Sequence, residues 1–196
     1  MDQLKITNAT RPLEIEEYKT IIQLLNHGFT MSNGEIITPK PSVAIAFQLQ
    51  ANLGLRIGDV LRLKVANFRG NKLEMSEQKT GKVQWREINT FVSTAVKDYA
   101  IEKGLKPDDK LFDFTVRHAQ KYLTKATQYL GINRVGTHSF RKMFATTVYE
   151  KNGHDLELVK NLLNHSSVAI TQRYIRVSQE AMNEASRSID FGDLTL

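Results

Sequence analysis

The chain has no cysteine. That excludes a disulfide scaffold, a cysteine-built zinc site and thiol catalysis together, and it fits a reducing compartment. No apolar stretch approaches the length that spans a bilayer, so no membrane association is expected. The opening residues, 1–18, hold no apolar run of the kind a secretory signal uses. Without secretion, the sequon-like Asn8-Ala9-Thr10 carries no meaning. Internal repeats and low-complexity segments are absent as well. Acids are in deficit: 21 Asp and Glu against 27 Lys and Arg leave a formal charge of +6 and a pI of about 9.5. A basic balance favours a polyanionic partner, either nucleic acid or an acidic membrane surface.

What remains is an ordinary globular composition, 41% hydrophobic and 24% charged over 196 residues, enough for one core. Pro12 opens a helical pattern through Leu25, with Glu14, Glu16 and Glu17 in its first turn, and Gly28 stops it. Residues 29–40 read as a loop with room for a short hairpin. A second helix follows Pro41, with Ser42 as cap, until Gly54 breaks it, and helix resumes over Asp59–Leu63. Lys72–Ser76 and Val83–Ile88 read as strands around a turn at 78–82, with Trp85 favouring strand. Helices are predicted for Thr90–Lys103, Thr115–Leu130, His138–Lys151, Asp155–Leu163, Val168–Arg173 and Ser178–Ser188. The expected fold is mainly α (α+β), a helical domain with one small antiparallel sheet.

Several polar residues stand in segments otherwise built for packing. Arg56 follows Gly54-Leu55 at a helix break, and Lys79 sits at the hairpin tip. His138 and Arg141 are three apart at a helix start, so they share a face. His165 follows Leu162-Leu163, and Tyr174 comes nine residues later. This set resembles the tyrosine recombinase (phage integrase) family. Residues 54–63, Gly-Leu-Arg-Ile-Gly-Asp-Val-Leu-Arg-Leu, resemble the family's first arginine motif, and Lys79-Thr80-Gly81-Lys82 its hairpin lysine. His138-Ser139-Phe140-Arg141 matches the His-x-x-Arg motif, residues 163–167 the second histidine motif, and Tyr174 the nucleophile. Each motif alone is weak. Their order and spacing across residues 11–189 make the signal specific.

The chemistry explains the residue types. A phosphodiester is an anion, and attack on it gathers further charge on its non-bridging oxygens. Guanidiniums supply fixed forks of donors to those oxygens and stay protonated. Arg56 and Arg141 are the candidates, and the resemblance implies His165 as a third donor. Tyr174, a phenol of pKa about 10, needs a proton acceptor or a strongly positive pocket. The resemblance implies His138 as that acceptor and Lys79 as the acid that protonates the leaving 5′ oxygen. Asp59 would orient Arg56 or a neighbouring group. Lys82, Arg173, Arg176, Lys121 and Lys125 are the candidate DNA contacts. The covalent 3′-phosphotyrosine stores the bond energy, so no cofactor and no metal is expected.

In isolation each residue has a plainer reading. Arg56 and Arg141 would be ion-pair partners, Lys79 and Lys82 solvated turn lysines, His138 and His165 caps, and Tyr174 packing between helices. Lys121 and Lys125, with Arg117 and Arg134, would be a solvated helix face. His27, His118 and His154 fit no part of the pattern. Asp59 stands where many members carry Glu, and Asn164 where Gly is frequent, though Asn tolerates left-handed angles. Residues 1–10 read as a tail or linker stub and 11–196 as one catalytic domain, without the N-terminal core-binding domain typical of the family. That leaves an excised fragment, slightly preferred, or a short single-domain recombinase of the promoter-flipping kind. The expected activity is site-specific DNA strand exchange, on double-stranded DNA, in a homo-tetramer at synapsis. Without DNA a monomer is expected, and the setting would be the cytoplasm, at the nucleoid. A type IB topoisomerase and a non-enzymatic DNA-binding module are the rivals.

Overall fold

A computed structural model describes residues 9–76, 83–175, 183 and 186–188. Helix α1 (Ile15–His27) starts later than Pro12, and a charged clamp sits at its entry. The Glu17 carboxylate accepts the Glu14 N–H at 3.0 Å and the Arg11 guanidinium at 2.7 Å. The chain before α1 is tied down as well. Arg11 N–H donates to the Arg134 carbonyl at 2.8 Å, Arg134 donates to Ala9, and Lys142 Nζ donates to Thr10.

After α1, the short strands β1 (Phe29–Thr30) and β2 (Ile36–Ile37) form an antiparallel ribbon inside the segment read as a loop. Among the described residues there are therefore two small antiparallel sheets, where one was expected. Pro41 is itself the first residue of α2 (Pro41–Leu53), a position where its missing N–H costs nothing. Ser42 is not the cap: its hydroxyl accepts from the Tyr99 hydroxyl at 2.9 Å. Gly54 ends α2 in the left-handed region, φ +65°, as its place in the sequence suggested. Helix resumes over α3 (Ile57–Val60), which starts and ends before the expected Asp59–Leu63.

The second sheet is three-stranded and antiparallel, β3 (Phe68–Arg69), β4 (Lys72–Ser76) and β5 (Val83–Glu87). Register sets Leu73 opposite Arg86 and Glu74 opposite Trp85. Trp85 faces outward, 48% exposed, with the Arg69 guanidinium 5.5 Å from its ring. The rest is helical, in α4 (Thr90–Glu102), α5 (Val116–Leu130), α6 (Thr137–Lys151), α7 (Leu156–Leu163) and α8 (Val168–Gln172), each within a residue or so of its expected bounds. Of the expected helix over 178–188, all but residues 183 and 186–188 lie outside the described residues.

The main core joins α1, α2, α4, α5 and the start of α6, where Phe140 stacks on Phe47 with centroids 4.5 Å apart. A smaller core of Ala145, Val159 and Leu163 joins α6 to α7, and Tyr174 and Ile175 pack partly onto it. Helix α6 thus belongs to both cores, with Phe140 in the larger and Ala145 in the smaller, and they meet along the turn between these two residues. A Cβ on Gly54 would collide with the Phe144 ring, at that same junction. Gly54→Ala should cost about 2–4 kcal/mol, from its left-handed backbone and from overpacking. A lowered urea midpoint at constant m-value would report it.

Candidate active site

Arg141, on the buried face of α6, is only 2% exposed. Its Nη1 donates to the Gly54 carbonyl at the end of α2, and its Nη2 donates to the Leu163 carbonyl at the end of α7, 2.7 Å away. The same Nη2 lies 3.1 Å from His165 Nε2. Nε is buried with no hydrogen-bond partner among the described residues. Burial, and then the charge of Arg56, pull the guanidinium down to about 10, while Tyr174 and Asp59 act in the opposite direction. At neutral pH it remains a cation.

The turn after α7 delivers His165. Asn164 adopts left-handed angles, φ 51° and ψ 49°, as its residue type permits. The His165 N–H then closes on the Lys160 carbonyl at 3.0 Å, reversing the chain toward α6. Because an arginine can only donate, His165 Nε2 must accept from Arg141. Nδ1 therefore carries the proton and donates to the Thr171 hydroxyl at 3.0 Å. Burial, reinforced by Arg141 and Arg56, lowers the imidazole from 6.5 to about 4, so it is neutral.

Tyr174 follows the short helix α8 and is half-buried, its ring centroid 4.8 Å from that of His165. The Arg141 Cζ lies 6.0 Å from the Tyr174 ring centroid and Lys142 Nζ 5.7 Å from it. His138 keeps part of its surface open at the start of α6, and the desolvation of the rest, followed by the charges of Arg141, Arg56 and Lys142, lowers its pKa. Arg56, exposed at the entry to α3, contributes charge to His138, Arg141 and His165 alike. Folding thus gathers Arg56, His138, Arg141, His165 and Tyr174 from distant parts of the chain.

Other expected site residues fare differently. Asp59 binds Arg62, so that is the neighbouring group it engages. Lys125 is paired with Glu35 at 2.6 Å, and Lys121 Nζ lies 5.7 Å from the Tyr122 ring. Arg173 is exposed beside Tyr174. Lys79, Lys82 and Arg176 lie outside the described residues.

The model of the phage integrase family matches residues 12–181, most of the chain. The chain belongs to the phage integrase family. It is similar to the probable integrase/recombinase YoeC of Bacillus subtilis (strain 168), 32% identical over 143 residues, covering 68% of this chain and 77% of YoeC. Its fold resembles a crystal structure of the XerH site-specific recombinase bound to a palindromic difH substrate, with a TM-score of 0.70 at 22% identity. That likeness covers 95% of this chain and 55% of XerH. The crystal structure of the catalytic domain of bacteriophage HP1 integrase gives a TM-score of 0.62 at 16% identity, covering 91% of this chain and 95% of that domain. This is therefore a tyrosine recombinase catalytic fold, and the family's reaction class is tyrosine-type DNA strand transfer. Among the described residues, no helix is long and apolar enough to cross a membrane.

Two residues in contact with this set were not singled out in the sequence: Lys142, beside the Tyr174 ring, and Thr171, beside His165. Lys142 adjoins Arg141 in the chain, and that adjacency was the available signal. Thr171 is fully buried and its hydroxyl meets His165 Nδ1, a contact that only the fold reveals. Because the native state keeps His165 neutral well below the usual histidine value, the unfolded chain binds more protons between about pH 6.5 and 4. Stability should therefore fall as pH drops through that window. Urea midpoints measured across it should fall less steeply for His165→Asn than for the wild type.

Proposed function

We propose that this integrase-family chain cleaves and rejoins double-stranded DNA at specific sites through Tyr174. The observation that carries the reading is the half-buried phenol ring packed against His165 with two cations, Arg141 and Lys142, over it. A positive pocket attracts the phosphodiester to the nucleophile. The phenol oxygen attacks phosphorus, and the bond to the 5′ oxygen breaks. The phenol proton passes to His138, whose lowered pKa keeps it a neutral acceptor at pH 7. Lys79, assigned from the sequence alone, gives its proton to the leaving 5′ oxygen. The product is a 3′-phosphotyrosine and a free 5′ hydroxyl. Attack by another strand's 5′ hydroxyl reverses each step and releases the tyrosine.

Arg56 and Arg141 hold the non-bridging oxygens, where donors placed in advance lower the barrier most. Arg141 must then turn part of its fork from backbone carbonyls to phosphate. His165 cannot donate through Nε2 while that atom accepts from Arg141. Its part as a third donor begins when the phosphate takes over the Arg141 bond and Nε2 gains a proton, which a nearby phosphate charge favours. Arg173, Lys82, Arg176, Lys121 and Lys125 make backbone contacts, the last after its pair with Glu35 opens. We take residues 11–196 as the catalytic unit, monomeric without DNA and tetrameric at synapsis, acting at the nucleoid.

A pool of nicked duplexes with a randomised core serves as a suicide substrate, since the short 5′ fragment diffuses away and traps the adduct. The wild type should yield a denaturation-resistant protein–DNA adduct, and Tyr174→Phe none. Arg56→Gln and Arg141→Gln should each slow adduct formation by about 10²–10³. An adduct that persists in Tyr174→Phe would end the assignment.

A further inference from the structure

Arg86 lies on β5, outside every motif of the family resemblance, with its guanidinium partly buried. Its Nη1 donates to the Leu162 carbonyl at 3.2 Å, and its Nη2 donates to the Leu53 carbonyl. Arg141 bridges the next residue along in each segment, the Gly54 and Leu163 carbonyls. Two guanidiniums, from a strand and from a helix, therefore join the same two helix ends by consecutive carbonyls. The last carbonyls of α7 are all accounted for in this way. Those of Lys160 and Asn161 accept the N–H groups of the Asn164–His165 turn, and those of Leu162 and Leu163 accept the two arginines.

Such carbonyls have no partner within the helix, and the helix dipole makes that end attractive to a cation. The placement bears on the reaction. Arg56 stands two residues after Gly54, and His165 two residues after Leu163. Whatever fixes the ends of α2 and α7 relative to each other fixes the span that the single fork of Arg141 must bridge. It also sets where Arg56 and His165 stand across the site.

We infer that Arg86 is a positioning residue for strand cleavage, holding the ends of α2 and α7 at the separation that the Arg141 fork requires. A planar fork reaches both carbonyls at once, and a lysine ammonium on its single stem does not. The inference rests on the strand-transfer reading for its effect on rate, but its geometry is testable in the protein alone.

The experiment uses the full chain, Arg86→Gln and Arg86→Lys. It follows adduct formation at saturating duplex from the nicked pool, duplex affinity, and the titration of the His165 imidazole by NMR without DNA. Both folded variants should cleave about 10–100-fold more slowly, the scale of a small misplacement of reacting groups, with affinity changed by no more than about twofold. His165 should titrate at higher pH in both, because a loosened α7 end admits water. Since Arg86→Lys keeps the charge, a rise there reports geometry. If Arg86→Gln fails to fold, Arg86→Lys decides.

Wild-type cleavage by Arg86→Lys overturns the inference. So does slowed cleavage with His165 unmoved, since Arg86 would then act on DNA instead of on the helix ends. Failure of both variants to fold reduces the residue to a structural one and overturns it equally. If the wild type forms no adduct, the strand-transfer reading has failed, while the His165 titration still judges whether Arg86 sets this geometry.

Discussion

The burial of one cation governs the centre of this molecule. Arg141 carries its charge into a site almost closed to water, which would cost several kcal/mol if uncompensated. Compensation comes from the carbonyls of Gly54 and Leu163 and the acceptor nitrogen of His165. Those carbonyls are orphans of helix termination, so the guanidinium and the helix ends satisfy each other. The arrangement needs α2, α6 and α7 in register at one point. That point is where the larger and smaller cores meet.

The same bond sets the proton inventory of the site. With Arg141 donating to Nε2, His165 is held neutral with its proton on Nδ1, against Thr171. His138 is also kept neutral, by partial burial and by three neighbouring cations. The pocket therefore offers fixed positive charge from arginine and lysine together with unprotonated imidazoles. That division suits a phenol that must lose a proton beside a phosphate that must be held. It also makes Arg141 a shared resource, committed to the fold until an anion competes for its donors.

Residue order marked out the polar set that folding gathers far more clearly than it marked out its supports. Arg56, His138, Arg141, His165 and Tyr174 were legible because their order and spacing form a pattern that packing alone does not generate. Arg86 was not, because Trp85 is the residue that marks β5 as a strand. Alternation along that strand places Arg86 in phase with Ile88, which packs on the core, and leaves Trp85 outside. A charged residue on the inward phase of a strand was the missed signal. The orientation of Asp59 toward Arg62 and of Lys125 toward Glu35 was equally hidden, since several partners lie within reach of a long side chain.

From residue order alone came most of the helical punctuation, the strand pair and the tolerance of Asn164 for left-handed angles, because these follow from local conformational preference and periodicity. Only the three-dimensional packing decided which carbonyls Arg141 and Arg86 would hold, which nitrogen of His165 would carry the proton, and that α6 would serve two cores. Those choices depend on groups tens of residues apart meeting at a few ångströms, and no local pattern encodes such a distance.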